Sequence, residues 1–397
     1  MKLIERKAYL DQLQAVKGIP DIKVITGIRR SGKSKLMDAF IASFPEDEQT
    51  SIIRIKLNLK SFERLRDADK LYSYISSKYV EHKNNYLFVD EIQLCHGFEW
   101  VINSLYEEEK YDIYLTGSNA FLLSSDLATL FGGRVFEIRL FPFSFAEYLQ
   151  YYPSENLDGS FDSFVKDGGM AGSYLYRRTE DARKYVENIF KTTIARDIVE
   201  KYKIENEQLL LMIGDFLMDN IGSSSSIRNI ANKLSSSTYT TNDKTVGAYI
   251  SYLCKAFMFY PINRYDIKRK KYLESDLKYY LADLSFRFAV LGTKRPDYGH
   301  LYENLVAIEL LRRGYEVYVG KLYDKEIDFV VIKDGTKTYI QVSDDISSEE
   351  TFNREVSPLL RIRDAFPKIL IARTKHEKSQ YQGIEIIDIA RWLISQK

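Results

Sequence analysis

Two cysteines in 397 residues, Cys95 and Cys254, are too few for a disulfide framework, and the scarcity suits a reducing compartment. Net charge is nearly absent as well. Fifty-seven Lys and Arg against 56 Asp and Glu leave +1, so the whole molecule has no bulk attraction for nucleic acid or anionic membrane. Affinity of that kind must come from a local patch. No apolar run approaches the roughly eighteen residues of a membrane span. The opening MKLIERKAYLDQL is amphipathic and charged, without the apolar centre of a signal peptide. Together these absences lead us to expect a cytoplasmic protein without a membrane partner. Core-forming residues are present in ordinary amount, 45% hydrophobic against 28% charged, over a length that calls for two or three domains. The thirty tyrosines show no periodic placement and read as packing residues rather than a base-stacking array.

The most informative stretch is KVITGIRRSGKSKL, Lys23 to Leu36. Ile22, Val24 and Ile25 make a short β-branched run, as expected of a buried strand. It breaks into Gly27-Ile28-Arg29-Arg30-Ser31-Gly32-Lys33-Ser34, followed by Lys35, which is the G-x-x-x-x-G-K-[ST] pattern of a phosphate loop. Gly27 and Gly32 permit backbone angles that let successive N–H groups turn toward one anion. Lys33 then puts an ammonium on the β- and γ-phosphates of ATP, Ser34 gives its hydroxyl to Mg²⁺, and the following helix adds the positive end of its dipole.

Alternating strand and helix patterns fill residues 1–140, with strands expected at Lys23–Gly27, Ser51–Leu57, Tyr86–Asp90, Asp112–Thr116 and Arg134–Leu140. That alternation implies an α/β fold with a mostly parallel sheet covered on both faces. Tyr86-Leu87-Phe88-Val89 feeds Asp90 and Glu91, a buried strand delivering two acids to the carboxyl edge of the sheet. Asp90 is the expected second metal ligand and Glu91 the general base that polarises water. One strand later, Tyr114-Leu115-Thr116-Gly117-Ser118-Asn119 ends in small polar residues; Thr116, Ser118 or Asn119 could reach the γ-phosphate or the water.

TGIRRSGKS, FVDEIQ, LTGSNA and FGGRVFEIRLFPFSFAEYL together resemble the AAA-type ATPases of bacteria and archaea. The resemblance implies a P-loop NTPase core over 1–140 and a helical lid over 141–205. It matches Asp90 and Glu91 to the Walker B pair and Ser118-Asn119 to the sensor position, with Ser118 toward the nucleotide and Asn119 catalytic. Arg134, in Gly132-Gly133-Arg134, resembles the arginine that such ATPases present to a neighbour's γ-phosphate, which would tie hydrolysis to a homo-oligomer; a surface arginine opening a strand is the alternative. Arg29 and Arg30 contact either the nucleotide or the next domain.

Residues 206–296 read as a winged helix: helices at Leu209–Asn220, Ile227–Leu234 and Lys244–Phe257, then strands at Asn263–Tyr272 and Leu277–Asp283. Between positions 226 and 273, nine basic residues stand against Asp243 and Asp266, the footprint of a DNA-contacting surface. A rigid docking module is the other reading of the same stretch. Residues 297–397 resemble the small α/β, restriction-endonuclease-like PD-(D/E)xK domain of the same ATPase group. Glu303 and Asp328 match its acidic positions, but Gln341 and Ser343 stand where the metal-binding acid and the lysine belong, so cleavage is not expected. ATP and Mg²⁺ are the implied cofactors. Three downstream roles stay open: a DNA-acting ATPase, a nucleotide-gated switch acting on a protein partner, and an ATP-regulated nuclease, which Ser343 disfavours.

Overall fold

Strand β1, Ile22–Thr26, lies between two neighbours in a five-stranded parallel sheet, and all five of its residues are buried. Its partners are β2 (Thr50–Lys56), β3 (Asn84–Asp90), β4 (Tyr111–Thr116) and β5 (Val135–Arg139), in the order β2-β3-β4-β1-β5. The computed structural model describes residues 4–45, 47–117, 131–235, 241–293, 296–376 and 378–395. The chain divides into two compact units, Leu3–Phe141 and Pro142–Lys397.

Side-chain alternation explains why the first sheet is covered twice. Ile22, Val24, Leu87, Val89, Ile113 and Leu115 join one apolar cluster with residues of helices α3 (Ala68–Ser77) and α4 (Phe98–Glu107). Ile25, Tyr86, Phe88 and Tyr114 point the other way, into a cluster with α1 (Lys7–Ala15) and α2 (Lys33–Ile41). A period of two places one set of residues on each face, so the interior strands β1, β3 and β4 are buried on both sides.

The second unit begins with helices α5 (Phe145–Tyr151), α6 (Leu157–Asp167) and α7 (Thr179–Thr192), the last running into a π-helical turn, Thr193–Glu200. Helices α8 (Glu207–Asp219), α9 (Ile227–Ser235) and α10 (Asp243–Lys255) follow, then the antiparallel pair β6 (Phe259–Asp266) and β7 (Lys271–Leu281). After α11 (Leu284–Val290) and α12 (Tyr298–Arg312) come β8 (Glu316–Leu322), β9 (Lys325–Lys333), β10 (Thr336–Ser343), α13 (Glu349–Leu360), β11 (Lys368–Ala372), β12 (Ser379–Tyr381), β13 (Ile384–Asp388) and α14 (Ile389–Ile394).

These strands form one eight-stranded sheet in the order β12-β13-β11-β10-β9-β8-β6-β7. The β6–β7 ribbon, expected as a wing within 206–296, therefore continues the sheet of the C-terminal residues: Arg264, Tyr265 and Asp266 pair in parallel with Val319, Gly320 and Lys321. The reason is edge chemistry. A strand with unpaired N–H and C=O groups is completed by the next one available. Asn304 of α12 reinforces the join, accepting Leu281 N–H at 2.7 Å and donating to Leu281 O at 3.0 Å.

Candidate nucleotide site

The loop leaving β1 is shaped by its glycines. Gly27 has φ of 133°, and a β-carbon there would lie 2.1 Å from Leu140 O, so no other residue fits beneath the chain leaving β5. Gly32, at φ of 105°, starts α2, whose end has no side-chain cap. The amino end of such a helix points its N–H groups and the positive end of its dipole into the loop, which favours an anion. Lys33 is buried and donates to the Gly27 and Ile28 carbonyls at 2.8 and 3.1 Å. Ile28 is fully buried and Ser31 nearly so, Arg29 is half-buried, and Arg30 and Lys35 are exposed.

Parallel pairing brings the acids to this loop. Ser34 Oγ donates to Asp90 Oδ1 at 2.8 Å. Thr116, at the end of the intervening β4, donates to the same oxygen at 2.5 Å and accepts the backbone N–H of Glu91 at 3.1 Å. Thr116 therefore braces both acids. The second carboxylate oxygen of Asp90, Oδ2, is buried with no hydrogen-bond partner. Orphaned buried oxygens of this kind are costly, and a cation relieves the cost. One carboxylate, one hydroxyl and the phosphates of a substrate are the oxygen donors that Mg²⁺ takes, so the residues present fit that ion. Glu91 is half-buried with φ of 58°, a conformation that costs a residue with a β-carbon roughly 1–2 kcal/mol, and its carboxylate accepts Gln93 Nε2 at 2.5 Å.

Arg134 is not brought to this loop. It precedes β5 at the amino edge of the sheet, its carbonyl accepting Ile22 N–H at 2.9 Å, about 16 Å of strand from the carboxyl edge. Its guanidinium pairs with Glu107 and lies 5.0 Å over the Tyr106 ring. Ser118 and Asn119 lie outside the described residues. The motifs gave no hint of Arg6, buried just before α1. It donates to Ser31 O in the phosphate loop at 3.3 Å and to Phe141 O, at the end of this unit, at 2.9 Å.

In the second unit, Glu303 (α12) and Asp328 (β9) are buried near each other, but their surroundings differ from the phosphate-loop acids. Lys278 of β7, 3% exposed, puts its ammonium 2.8 Å from Glu303 and 2.7 Å from Glu326, and Tyr280 OH donates to Glu303 at 2.6 Å. Burial alone would lower the pKa of Lys278; Glu303, Asp328 and Glu326 outweigh it and hold the pKa above the usual lysine range. Asp328 is pushed well up, by burial first and then by the Glu303 charge. Its Oδ2 accepts the Val342 N–H at 2.8 Å, and Gln341 turns its amide to Glu355 at 3.1 Å. A β-carbon on Gly222 would sit 3.0 Å from Glu303 Oε2, so the chain closes that side too. The metal implied by the PD-(D/E)xK resemblance does not fit: an internal ammonium already stands between the carboxylates. Among the described residues, no group of three His, Cys, Asp or Glu side chains could hold a metal ion.

Residues 20–149 match the family described as an AAA domain, and residues 159–297 match a domain of unknown function (DUF8612). An uncharacterized protein of Haemophilus influenzae is 36% identical over 99% of both chains. The chain belongs to that protein's family. The uncharacterized protein MJ1544 of Methanocaldococcus jannaschii is 27% identical, covering 90% of this chain and 82% of its own. Among solved structures, the Walker-type ATPase PABY2304 of Pyrococcus abyssi is similar over 72% of this chain and 95% of its own, at 16% identity and a TM-score of 0.46. By the family match, residues 20–149 form an AAA-type, ATPase-like domain. No described helix is long and apolar enough to cross a membrane.

Proposed function

We propose that the protein is a cytoplasmic, Mg²⁺-dependent ATPase whose nucleotide state gates a nucleic-acid-engaging second unit. The observation that carries the ATPase reading is Asp90, with one oxygen held by Ser34 and Thr116 and the other buried without a partner, below a phosphate loop. Mg²⁺, when bound through Ser34 and Asp90, supplies positive charge against the phosphates. The loop N–H groups from Gly27 to Lys33 grip phosphate oxygens, and the Lys33 ammonium exchanges its bonds to the Gly27 and Ile28 carbonyls for bonds to the β- and γ-phosphates. Glu91 takes the proton of the attacking water, oriented by Gln93, while Thr116 keeps its backbone in place. Asn119 is proposed to hold that water, Ser118 to bond the γ-phosphate, and Arg134 to act on a neighbouring copy.

Gating is supported by Arg6. One buried guanidinium bonds both the phosphate loop and the residue where the first unit ends, so a loop that tightens on nucleotide pulls on Phe141. The nucleic-acid reading is supported by the element order α8-α9-α10-β6-β7, which is that of a winged helix, and by the exposed run Lys268, Arg269, Lys270 and Lys271 between the strands. With Lys278 and Ser343 where they are, a nuclease-like domain over 297–397 would bind rather than cut. The test is ATP turnover with and without nucleic acid, at low and high salt, with Lys33→Ala as control. Stimulation that fades with salt is expected; turnover indifferent to nucleic acid would leave an ATPase that acts on a protein partner instead.

A further inference from the structure

The β6–β7–β8 end of the large sheet carries an aromatic face that its own fold leaves uncovered. Tyr265 and Tyr272 are directly paired across β6 and β7, so both point to one face, with ring centroids 5.4 Å apart. Tyr318 of β8 joins them, 4.9 Å from Tyr272 and 6.1 Å from Tyr265. Lys337 of β10 extends the row: its ammonium lies 4.7 Å over the Tyr265 ring, 5.5 Å over Phe366, and donates to Tyr265 OH at 3.0 Å. Helix α13 packs on β9, β10, β11 and β13 and covers the rest of this face. Tyr272 is 53% exposed and Phe366 40%, whereas Tyr265 beneath them is 5% exposed. The result is a fixed floor with rings open to water above it.

The turn at the end of the same ribbon is cationic. Lys268, Arg269, Lys270 and Lys271 are consecutive and exposed. The carboxylate facing them, Asp266, is largely occupied: it accepts the Arg269 N–H at 2.8 Å and lies 3.8 Å from its guanidinium. Lys268 lies 4.6 Å over the ring of Tyr323, which is 61% exposed. Cations interleaved with open aromatic faces match one chemistry in particular: a polyanion with unstacked planar groups, whose phosphates meet the lysines and whose bases meet the rings. Duplex DNA hides its base faces and would use the lysines alone.

We infer that Tyr272, Tyr318 and Phe366, with Lys337 and the Lys268–Lys271 turn, form a platform for single-stranded nucleic acid. This deepens the nucleic-acid reading above and rests on it. Neither the phosphate loop nor the acids beside it take part.

The test is anisotropy of fluorescein-labelled dT20 and rU20, and of a 20-base-pair duplex, titrated with the full-length protein. Tyr272→Ala should weaken dT20 binding roughly 5- to 150-fold, the range for losing one stacked base, and leave duplex binding nearly unchanged. Replacing Lys268, Lys270 and Lys271 by Gln should flatten the dependence of log K on log salt by about 2 for the single strand. ATP turnover without nucleic acid should be the same in both variants, which shows that the chain is folded. Tighter rU20 than dT20 binding would assign the platform to RNA, and the reverse to DNA. Duplex binding with no Tyr272-dependent single-strand binding would overturn the platform and keep the broader reading. No binding of any strand at low salt would overturn both.

Discussion

Asp90 and Asp328 are both nearly inaccessible aspartates on interior strands; the motifs put Lys33 and Ser34 with the first, and with the second no lysine, Ser343 standing in its place. In the first unit the lysine turns away: Lys33 bonds loop carbonyls, and Asp90 Oδ2 is left without a partner. In the second, Lys278 reaches into the acidic cluster from β7, at the edge of the sheet. One unit leaves a buried negative charge to be met from outside; the other meets it internally. Two acidic sites that look alike as lists of residues therefore differ in what they can accept. A buried carboxylate is a ligand site only when the protein has not already neutralised it.

Lys278 is the residue on which the second acidic cluster depends most. Lys278→Ala leaves Glu303 buried without its ammonium and should cost about 3–5 kcal/mol in urea unfolding, while adding Glu303→Gln should recover part of the loss. A single variant as stable as the wild type would mean that the cluster needs no internal cation.

A third buried aspartate sharpens the contrast through pH. Burial raises Asp283 from 3.8 to about 6, although Ser285 and Gly169 donate hydrogen bonds to it. The folded chain binds its proton more tightly than the unfolded chain does. The stability contributed by neutral Asp283 is full below pH 3.8 and is lost as pH rises through about 6. Wild-type stability relative to Asp283→Asn should fall by up to about 3 kcal/mol across that window. A flat difference would contradict the assignment.

Thr116→Val tests the brace on the first site more gently. It removes one donor to Asp90 and strands the Glu91 N–H, which should cost about 1–3 kcal/mol in thermal unfolding. An unchanged melting temperature would show that the bonds to Thr116 contribute little.

Much of the first site was legible because its motifs are contiguous. Residues 27–34 and 86–91 carry loop, strand and acids within single short stretches, and the register of β1, β4 and β3 brings their ends together. Arg6 was not legible: its acceptors are 25 and 135 residues away, and no local pattern marks an arginine that crosses a sheet edge. Lys278 escaped for the same reason, since it meets Glu303 25 residues later on another element. The tyrosines were read as packing because they lack period along the chain. Tyr265, Tyr272, Tyr318 and Lys337 become one surface only after β6, β7, β8 and β10 take their places in the sheet. The wing expectation placed an antiparallel pair here but ran its first strand, Asn263–Tyr272, through the turn at 267–270 and broke the chain at 273–276, where β7 is continuous. It also missed the further partner, because parallel pairing between Arg264–Asp266 and Val319–Lys321 leaves no mark in either segment alone.

On the proposed function, the site beside Asp90 hydrolyses ATP with Glu91 as the base. Its most direct test measures ATP affinity and single-turnover hydrolysis on the same preparations of wild type and Glu91→Gln, with Mg²⁺ present. The expected result is affinity within a few-fold of wild type and hydrolysis slower by roughly 10²–10⁴-fold. Hydrolysis by Glu91→Gln at the wild-type rate, with ATP bound equally well, would contradict it.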